Sequence, residues 1–195
     1  MLAYEATATA FAFMSTCLAA KNSVYTWPCG IVSILLALFI LHKISLHADT
    51  ALHAIYLILY LYGWYSWSTD SKNTKPVHAR YLGLKRFVIC CIPTIILAFI
   101  LIPILKHSSD SLPYMDAFTT SFAILALVLT AKKYIENWFI WTVTDMSYVY
   151  MYAHKHLYIM SGKHFIYLFV AAIGLYIWHK DSSRGSYHLD FAKNQ

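Results

Sequence analysis

Residues 86–105 read RFVICCIPTIILAFILIPIL, and only the first of these twenty residues carries a charge. An α-helix needs about 20 apolar residues to cross the ~30 Å hydrocarbon core of a bilayer. A backbone in lipid must satisfy its own hydrogen bonds, so a segment of this kind is expected to be helical. The stretch therefore predicts a transmembrane helix.

Six further apolar segments of near-spanning length accompany it. The seven segments cover residues 2–20, 27–44, 48–68, 86–105, 114–131, 135–153 and 157–178. The chain of 195 residues is 59% hydrophobic and 12% charged, whereas an ordinary soluble domain is about 25% charged. The sequence thus predicts an all-α membrane protein with seven transmembrane helices embedded in a lipid bilayer. Little chain remains outside them for a soluble catalytic domain.

The basic residues predict how the helices are oriented. With the N-terminus outside, eleven of the fifteen lysines and arginines fall on the inner side, namely Lys21, Lys72, Lys75, Arg80, Lys85, Arg86, Lys132, Lys133, Lys180, Arg184 and Lys193. Cytoplasmic loops carry such an excess, so we expect the N-terminus outside and the C-terminus in the cytoplasm. The net charge of +6 is scattered rather than clustered, which argues against nucleic acid as a partner.

The N-terminal and C-terminal parts of the chain resemble each other in sequence. A shift of 111 positions aligns several residues that rarely coincide by chance in apolar sequence, including Trp27 with Trp138, His53 with His164, Gly63 with Gly174 and Trp67 with Trp178. We therefore expect two parallel three-helix repeats, residues 1–68 and 114–178. Residues 69–113 would form a basic cytoplasmic loop and a linker helix, and residues 179–195 a polar cytoplasmic tail. Transporters built from parallel repeats hold their substrate between the repeats; the alternative is a duplicated bundle that serves only as a scaffold.

The segment 135–153 carries the chemistry. Five of its residues are spaced by three or four and share one helical face: Trp138, Trp141, Asp145, Tyr148 and Tyr152. A carboxylate near mid-bilayer marks a functional site by default. Aromatic faces beside a negative charge can hold a flat cationic ligand. The alternative is that the aromatic residues are packing residues and that Asp145 pairs with Lys163.

A second strip lies in segment 48–68, where we expect His53, Tyr56 and Tyr60 to contact the ligand and Trp67 to be an interfacial anchor. Histidine pairs such as His154 and His156 have no cysteine or carboxylate at a recognisable spacing, so no metal site or cofactor is predicted. Nothing resembles a nucleophile with its base, which argues against an enzyme.

Three motifs resemble the PnuC family of vitamin transporters. They are Trp27-Pro28-x-Gly30-Ile31, Tyr62-Gly63-Trp64-Tyr65-x-Trp67 and Lys132-Lys133-x-x-Glu136-Asn137-Trp138-x-x-Trp141, and the resemblance extends from Glu5 to Trp178. It implies a fold similar to SWEET sugar transporters in the bacterial inner membrane. It further implies facilitated diffusion of a dephosphorylated vitamin, typically nicotinamide riboside, which a cytoplasmic kinase then traps. Family members can form trimers, so a homotrimer is one implied assembly, and the motif match implies that Asn137, Trp138 and Trp141 belong to the binding region.

Two residues qualify the expected substrate. Asp145 and His53 stand where nicotinamide riboside transporters of the family tend to carry Asn and Gln, and relatives similar to thiamine transporters more often carry the Asp. Both vitamins are cationic heteroaromatics, so a carboxylate and Trp faces suit either. The resemblance favours nicotinamide riboside, with thiamine as the alternative; a membrane receptor or scaffold is the more distant one.

Overall fold

The computed structural model describes residues 2–43, 47–70, 78–107 and 112–193. Within these residues the chain forms seven α-helices: α1 (Leu2–Ala20), α2 (Thr26–Lys43), α3 (His47–Asp70), α4 (Leu84–His107), α5 (Pro113–Ala131), α6 (Asn137–His154) and α7 (Tyr158–Lys193). The predicted all-helical fold is confirmed. Lys72 and Lys75, which contributed to the predicted orientation, lie outside the described residues.

The predicted segments match the helices closely, and the largest difference is at the C-terminus. The segment predicted to end at residue 178 continues as helix to Lys193. This helix contains no proline that would remove a backbone donor and end it. The polar residues after the apolar run therefore extend the same helix.

Four of the seven helices are long and apolar enough, by length and composition, to cross a membrane: Thr26–Lys43, Leu84–Lys106, Pro113–Ala131 and Tyr158–Ser183. α4 is the most apolar of these and is mostly exposed, with side chains such as Ile92, Ile96 and Phe99 pointing outward. An exposed apolar face of this length suits contact with lipid. The lower hydropathy of α6 reflects its polar residues, including Asn137, Thr144 and Asp145, which are buried inside the bundle.

Six helices form a closed ring. α1 packs against α2 and α7, α3 packs against α2 and α5, and α6 packs against α5 and α7, while α4 lies against α5. This order of contacts is what two three-helix units with a linker helix would produce. The origin of the two units as a repeat stays a prediction.

Four tryptophans form a buried layer at the end of the ring where α1 and α5 end. The rings of Trp27 and Trp67 lie 5.3 Å apart, those of Trp67 and Trp178 6.0 Å, and those of Trp138 and Trp178 5.5 Å. We call these four residues the tryptophan layer. Trp67 is 2% exposed, so its predicted role as an interfacial anchor is wrong: its ring packs against Trp27 and Trp178 instead of lying at the lipid surface.

Two glycines make room for this layer. A Cβ atom added at Gly63 would overlap the ring of Trp27, and one added at Gly174 would overlap the ring of Trp138. Both glycines lie one turn before a tryptophan of the layer, Trp67 or Trp178, and the shift of 111 positions relates them. The close approach of helix and indole therefore explains why these positions carry no side chain.

Two carboxylates, Glu136 and Asp181, bind the segment that precedes α4 at the same end of the ring. Glu136 accepts hydrogen bonds from the backbone N–H groups of Leu82 (2.9 Å) and Gly83 (3.1 Å). Asp181 accepts one from the backbone N–H of Ala79 (2.8 Å) and one from the side chain of Asn22 (3.2 Å). Since charge-assisted hydrogen bonds are stronger than neutral ones, these two residues hold three connections together below the tryptophan layer.

Candidate functional site

The ring encloses a cavity of about 370 Å³. Residues from α1, α2, α3, α5, α6 and α7 line it, and none of the described lining residues belongs to α4. Its aromatic lining residues are Trp27, Tyr56, Tyr60, Trp138, Trp141, Tyr148, Tyr152 and Tyr167. The volume lies in the range of roughly 300–1,000 Å³ that is usual for small-molecule sites.

The predicted face of α6 forms one wall of this cavity. All five of its residues line it: Trp138, Trp141, Asp145, Tyr148 and Tyr152. The indole nitrogen of Trp141 lies 3.4 Å from the hydroxyl oxygen of Thr130 on α5. This contact joins α6 to α5 beside the cavity.

Asp145 is the only carboxylate among the described residues that line the cavity, and it is 5% exposed. Its Oδ1 lies 2.7 Å from Nδ1 of His164 on α7. An ionised carboxylate can only accept, so the imidazole donates this hydrogen bond through Nδ1. The alternative interpretation, in which Asp145 pairs with Lys163, therefore named the wrong partner. The direct contact is with His164, the next residue along α7. Lys163 still lines the cavity, close enough for its charge to act on Asp145.

Three tyrosines surround the imidazole of His164. Its ring centroid lies 4.7 Å from that of Tyr148, 5.4 Å from that of Tyr152 and 5.6 Å from that of Tyr167. The rings of His164 and Tyr152 are nearly parallel, at 19°. The Asp145–His164 pair is thus held in one place by aromatic packing on both helices.

A second wall comes from α3, where His53, Tyr56 and Tyr60 all line the cavity as expected. The rings of His53 and Tyr56 meet edge to face at 6.0 Å. The ring of Tyr60 lies over Gly30 of α2, so closely that a Cβ there would overlap it.

The two walls differ in a compensating way. At the positions that the 111-residue shift relates to Tyr60 and Gly30, the chain has Ala171 and Trp141. On one wall the large side chain is Tyr60 on the third helix of a unit, which lies over Gly30 of the second helix. On the other wall the large side chain is Trp141 on the second helix, and the third helix has Ala171. The lining of the cavity is therefore asymmetric, although the order of contacts among the six helices of the ring is the same in both halves.

Asn137 is not one of the described residues that line the cavity. It is fully buried at the start of α6, and its Nδ2 donates a 2.6 Å hydrogen bond to the carbonyl of Tyr134. The structure therefore brings together seven of the eight predicted residues, His53, Tyr56, Tyr60, Trp138, Trp141, Asp145 and Tyr148, and places Asn137 behind them. Their binding role stays a prediction.

Several residues that line the cavity were not predicted from the sequence to do so. Trp27 forms part of the floor with Trp138, and His164, Lys163 and Tyr167 come from α7. The internal alignment carried a usable signal, because it paired His164 with His53 and Tyr167 with Tyr56, both predicted to contact ligand. A residue whose counterpart faces the cavity was a reasonable candidate for the same face.

A membrane bundle that encloses an aromatic cavity with a buried charge is the architecture of a small-molecule transporter. The family model described as nicotinamide mononucleotide transporter matches residues 2–180 of the chain. The chain belongs to this family, whose curated members include the PnuC proteins, and is a multi-pass membrane vitamin transporter. The predicted resemblance, and the prediction of a transporter rather than an enzyme, are confirmed.

Two curated relatives illustrate the range of named substrates. The nicotinamide riboside transporter PnuC of Escherichia coli (strain K12) is 24% identical over 209 residues, which cover 93% of this chain and 87% of that protein. The riboflavin/roseoflavin transporter RibM of Streptomyces davaonensis is 27% identical over 177 residues, which cover 85% and 79%. Identity at this level leaves the vitamin open.

The fold is shared with a solved structure. The crystal structure of the vitamin B3 transporter PnuC superimposes with a TM-score of 0.75 at 19% identity, covering 93% of this chain and 83% of that one. A match over nearly the whole chain supports one common bundle from α1 to α7.

Proposed function

We propose that this chain takes up nicotinamide riboside across the bacterial inner membrane by facilitated diffusion. The single observation that carries the proposal is Asp145, a buried carboxylate in a cavity lined by aromatic rings. A positively charged pyridinium ring is attracted both to the faces of Trp and Tyr rings and to a carboxylate. The curated relatives named as nicotinamide riboside transporters support this substrate.

The lining also suits the sugar of a nucleoside. Hydroxyl-bearing residues of α1, α2 and α5, namely Ser15, Thr26 and Thr130, line the cavity, and Thr26 directly precedes Trp27 of the tryptophan layer. Each hydroxyl donates to a backbone carbonyl, so its oxygen can accept a hydrogen bond from a ligand. A site that orients a ligand needs only a few polar groups among apolar walls. We propose that the base lies against Trp141 near Asp145 and that the ribose points toward these hydroxyl groups.

The direction of net movement would come from metabolism. Phosphorylation of the riboside by a cytoplasmic kinase adds a group with a charge of about −1.5 to −2, so the product is no longer a cation and loses its net attraction to Asp145. Trapping of this kind requires neither ATP nor a coupling ion at the transporter. The excess of basic residues supports an N-terminus outside and a C-terminus in the cytoplasm.

Thiamine is the second candidate, and Asp145 is the observation that favours it. Thiamine also carries a permanent positive charge on a flat heteroaromatic ring, so the carboxylate and the Trp141 face would suit it equally. The two vitamins differ beyond that ring, since only the riboside presents a ribose to the hydroxyl groups near the tryptophan layer.

Counterflow in proteoliposomes tests the proposal. Vesicles preloaded with unlabelled nicotinamide riboside should accumulate the labelled compound without altering it, and Trp141→Ala should reduce this uptake. Trp64→Ala, which alters a tryptophan that is 43% exposed on the outside of α3, is the matched control and should leave it unchanged. If thiamine or riboflavin drives counterflow and the riboside does not, the proposed substrate is wrong. If none of the three drives counterflow, the proposal that the chain transports one of these vitamins is wrong.

A further inference from the structure

We propose that His164 is a specificity-determining residue, which sets the charge of the cavity and makes binding of a cationic substrate compete with binding of a proton. The inference rests on the proposed function and names a regulation of the same site. It starts from the 2.7 Å contact between Nδ1 of His164 and Oδ1 of Asp145 inside the cavity.

The contact is between Asp145, which would attract the cation, and His164. Histidine is the side chain that ordinarily titrates between pH 5 and 8. When the imidazole is neutral, Asp145 has a hydrogen bond but keeps its negative charge. When the imidazole is protonated, the pair is neutral as a whole. A proton on His164 thus does electrostatically what a bound cation would do, within the same cavity.

Other charged and titratable groups near the pair do not change the sign of this effect. Lys163 on α7 lines the same cavity, so its positive charge offsets that of Asp145 whether or not His164 is protonated. Asp116 on α5 forms an ion pair with Lys155 at 3.5 Å. The tyrosines from α3, α6 and α7 that face the pair, Tyr56, Tyr148, Tyr152 and Tyr167, are neutral side chains at physiological pH. In every case protonation of His164 adds one positive charge to the cavity.

The second cavity histidine provides an internal comparison. His53 corresponds to His164 in the 111-residue register and also lines the cavity, but the position that corresponds to Asp145 is Ile34. The direct contact between a cavity histidine and Asp145 is the one between α7 and α6. His154→Asn, which alters an exposed histidine at the end of α6 outside the described lining of the cavity, is the matched control for His164→Asn.

Asparagine is the informative replacement because its amide nitrogen can occupy the position of Nδ1. His164→Asn can keep the hydrogen bond to Asp145 while removing the group that titrates. A role of His164 in packing alone would lower stability but would not change how affinity depends on pH.

The experiment measures the binding of nicotinamide riboside and of benzamide riboside, its uncharged and nearly isosteric analogue, to the full-length purified protein at several pH values. Between about pH 8 and pH 5, the range in which imidazole side chains titrate, the affinity of the wild type for the cation should fall by roughly tenfold. The affinity for the neutral analogue should stay constant. In His164→Asn the cation should bind with the same affinity at both pH values, and in His154→Asn the dependence on pH should remain.

The outcomes separate this inference from the function on which it rests. Strong riboside binding that does not vary with pH, an equal loss for both ligands at low pH, or a slope that survives in His164→Asn would each overturn the inference while leaving the transporter assignment intact. If His164→Asn fails to fold, the comparison of the two ligands on the wild type still decides. If the wild type binds neither riboside at any pH, the proposed function fails, and the inference fails with it.

Discussion

The indole nitrogen of Trp178 donates a 3.0 Å hydrogen bond to the backbone carbonyl of Ala19, which precedes it by 159 residues. Trp67 makes the corresponding bond of 3.1 Å to the carbonyl of Ala131. Each tryptophan lies on the third helix of one predicted unit and bonds to the end of the first helix of the other unit. The two bonds therefore tie the halves of the ring together directly beneath the cavity.

Replacing Trp178 with Phe should destabilise the protein. The change removes the donor to Ala19 and part of a fully buried ring, at a cost of about 1–3 kcal/mol. We expect a melting temperature in detergent that is lower by several degrees. Trp64→Phe, on the exposed side of α3, is the control, and an unchanged melting temperature for Trp178→Phe would show that the bond contributes nothing measurable.

Gly30 should tolerate no side chain. A Cβ atom at this position would overlap the ring of Tyr60, which is itself held against Trp27 at 5.4 Å. We expect Gly30→Ala to cost about 1–3 kcal/mol of stability through overpacking and to displace a predicted binding residue. Gly162→Ala is a matched control, because a Cβ at Gly162 would meet no atom within 4 Å. Equal melting temperatures for the two variants would mean that Tyr60 does not need the space above Gly30.

Trp141 should matter for binding more than for stability. The variant Trp141→Ala removes a large aromatic face from the cavity, and stacking of this kind contributes on the order of 1 kcal/mol or more. Binding of nicotinamide riboside should weaken by roughly tenfold or more in isothermal titration, while the purified protein stays folded. Normal binding in a well-folded variant would return Trp141 to a packing role.

The orientation can be tested with reporters. The excess of basic residues predicts that a reporter fused after Gln195 is cytoplasmic and that one inserted between Lys106 and Tyr114 is outside. Accessibility labelling that places residue 110 in the cytoplasm would contradict both the orientation and the number of spans.

Most of the fold could be predicted because lipid imposes a simple rule on the backbone. The ends of α1 and α5 fall where Lys21 and Lys132 interrupt the apolar runs, and both were predicted at the right residue. The position of Trp67 was not predictable in the same way. Its partners, Ala131 and Trp178, are distant in sequence, and hydropathy does not distinguish an interfacial tryptophan from one that a second unit buries.

The candidate site shows the same division. The periodicity of α6 placed Trp138, Trp141, Asp145 and Tyr148 on one face, because spacing within a helix fixes which side chains point together. The partner of Asp145 depended instead on how α6 and α7 rotate against each other. Adjacent residues of a helix point about 100° apart, so the choice between Lys163 and His164 required the packing of the two helices.

The most direct test of a cation-binding cavity is the affinity of Asp145→Asn for nicotinamide riboside and for the neutral benzamide riboside. The substitution removes one charge at nearly constant volume, and a charge pair in a partly hydrated cavity contributes a few kcal/mol at an intermediate effective dielectric (roughly 20). Affinity for the cation should fall by roughly tenfold or more, while the neutral analogue binds about as before. If thiamine is the natural substrate, the same variant should shift preference toward the riboside. Equal losses for both ribosides, together with a lower melting temperature, would contradict the account and leave Asp145 as a structural partner of His164.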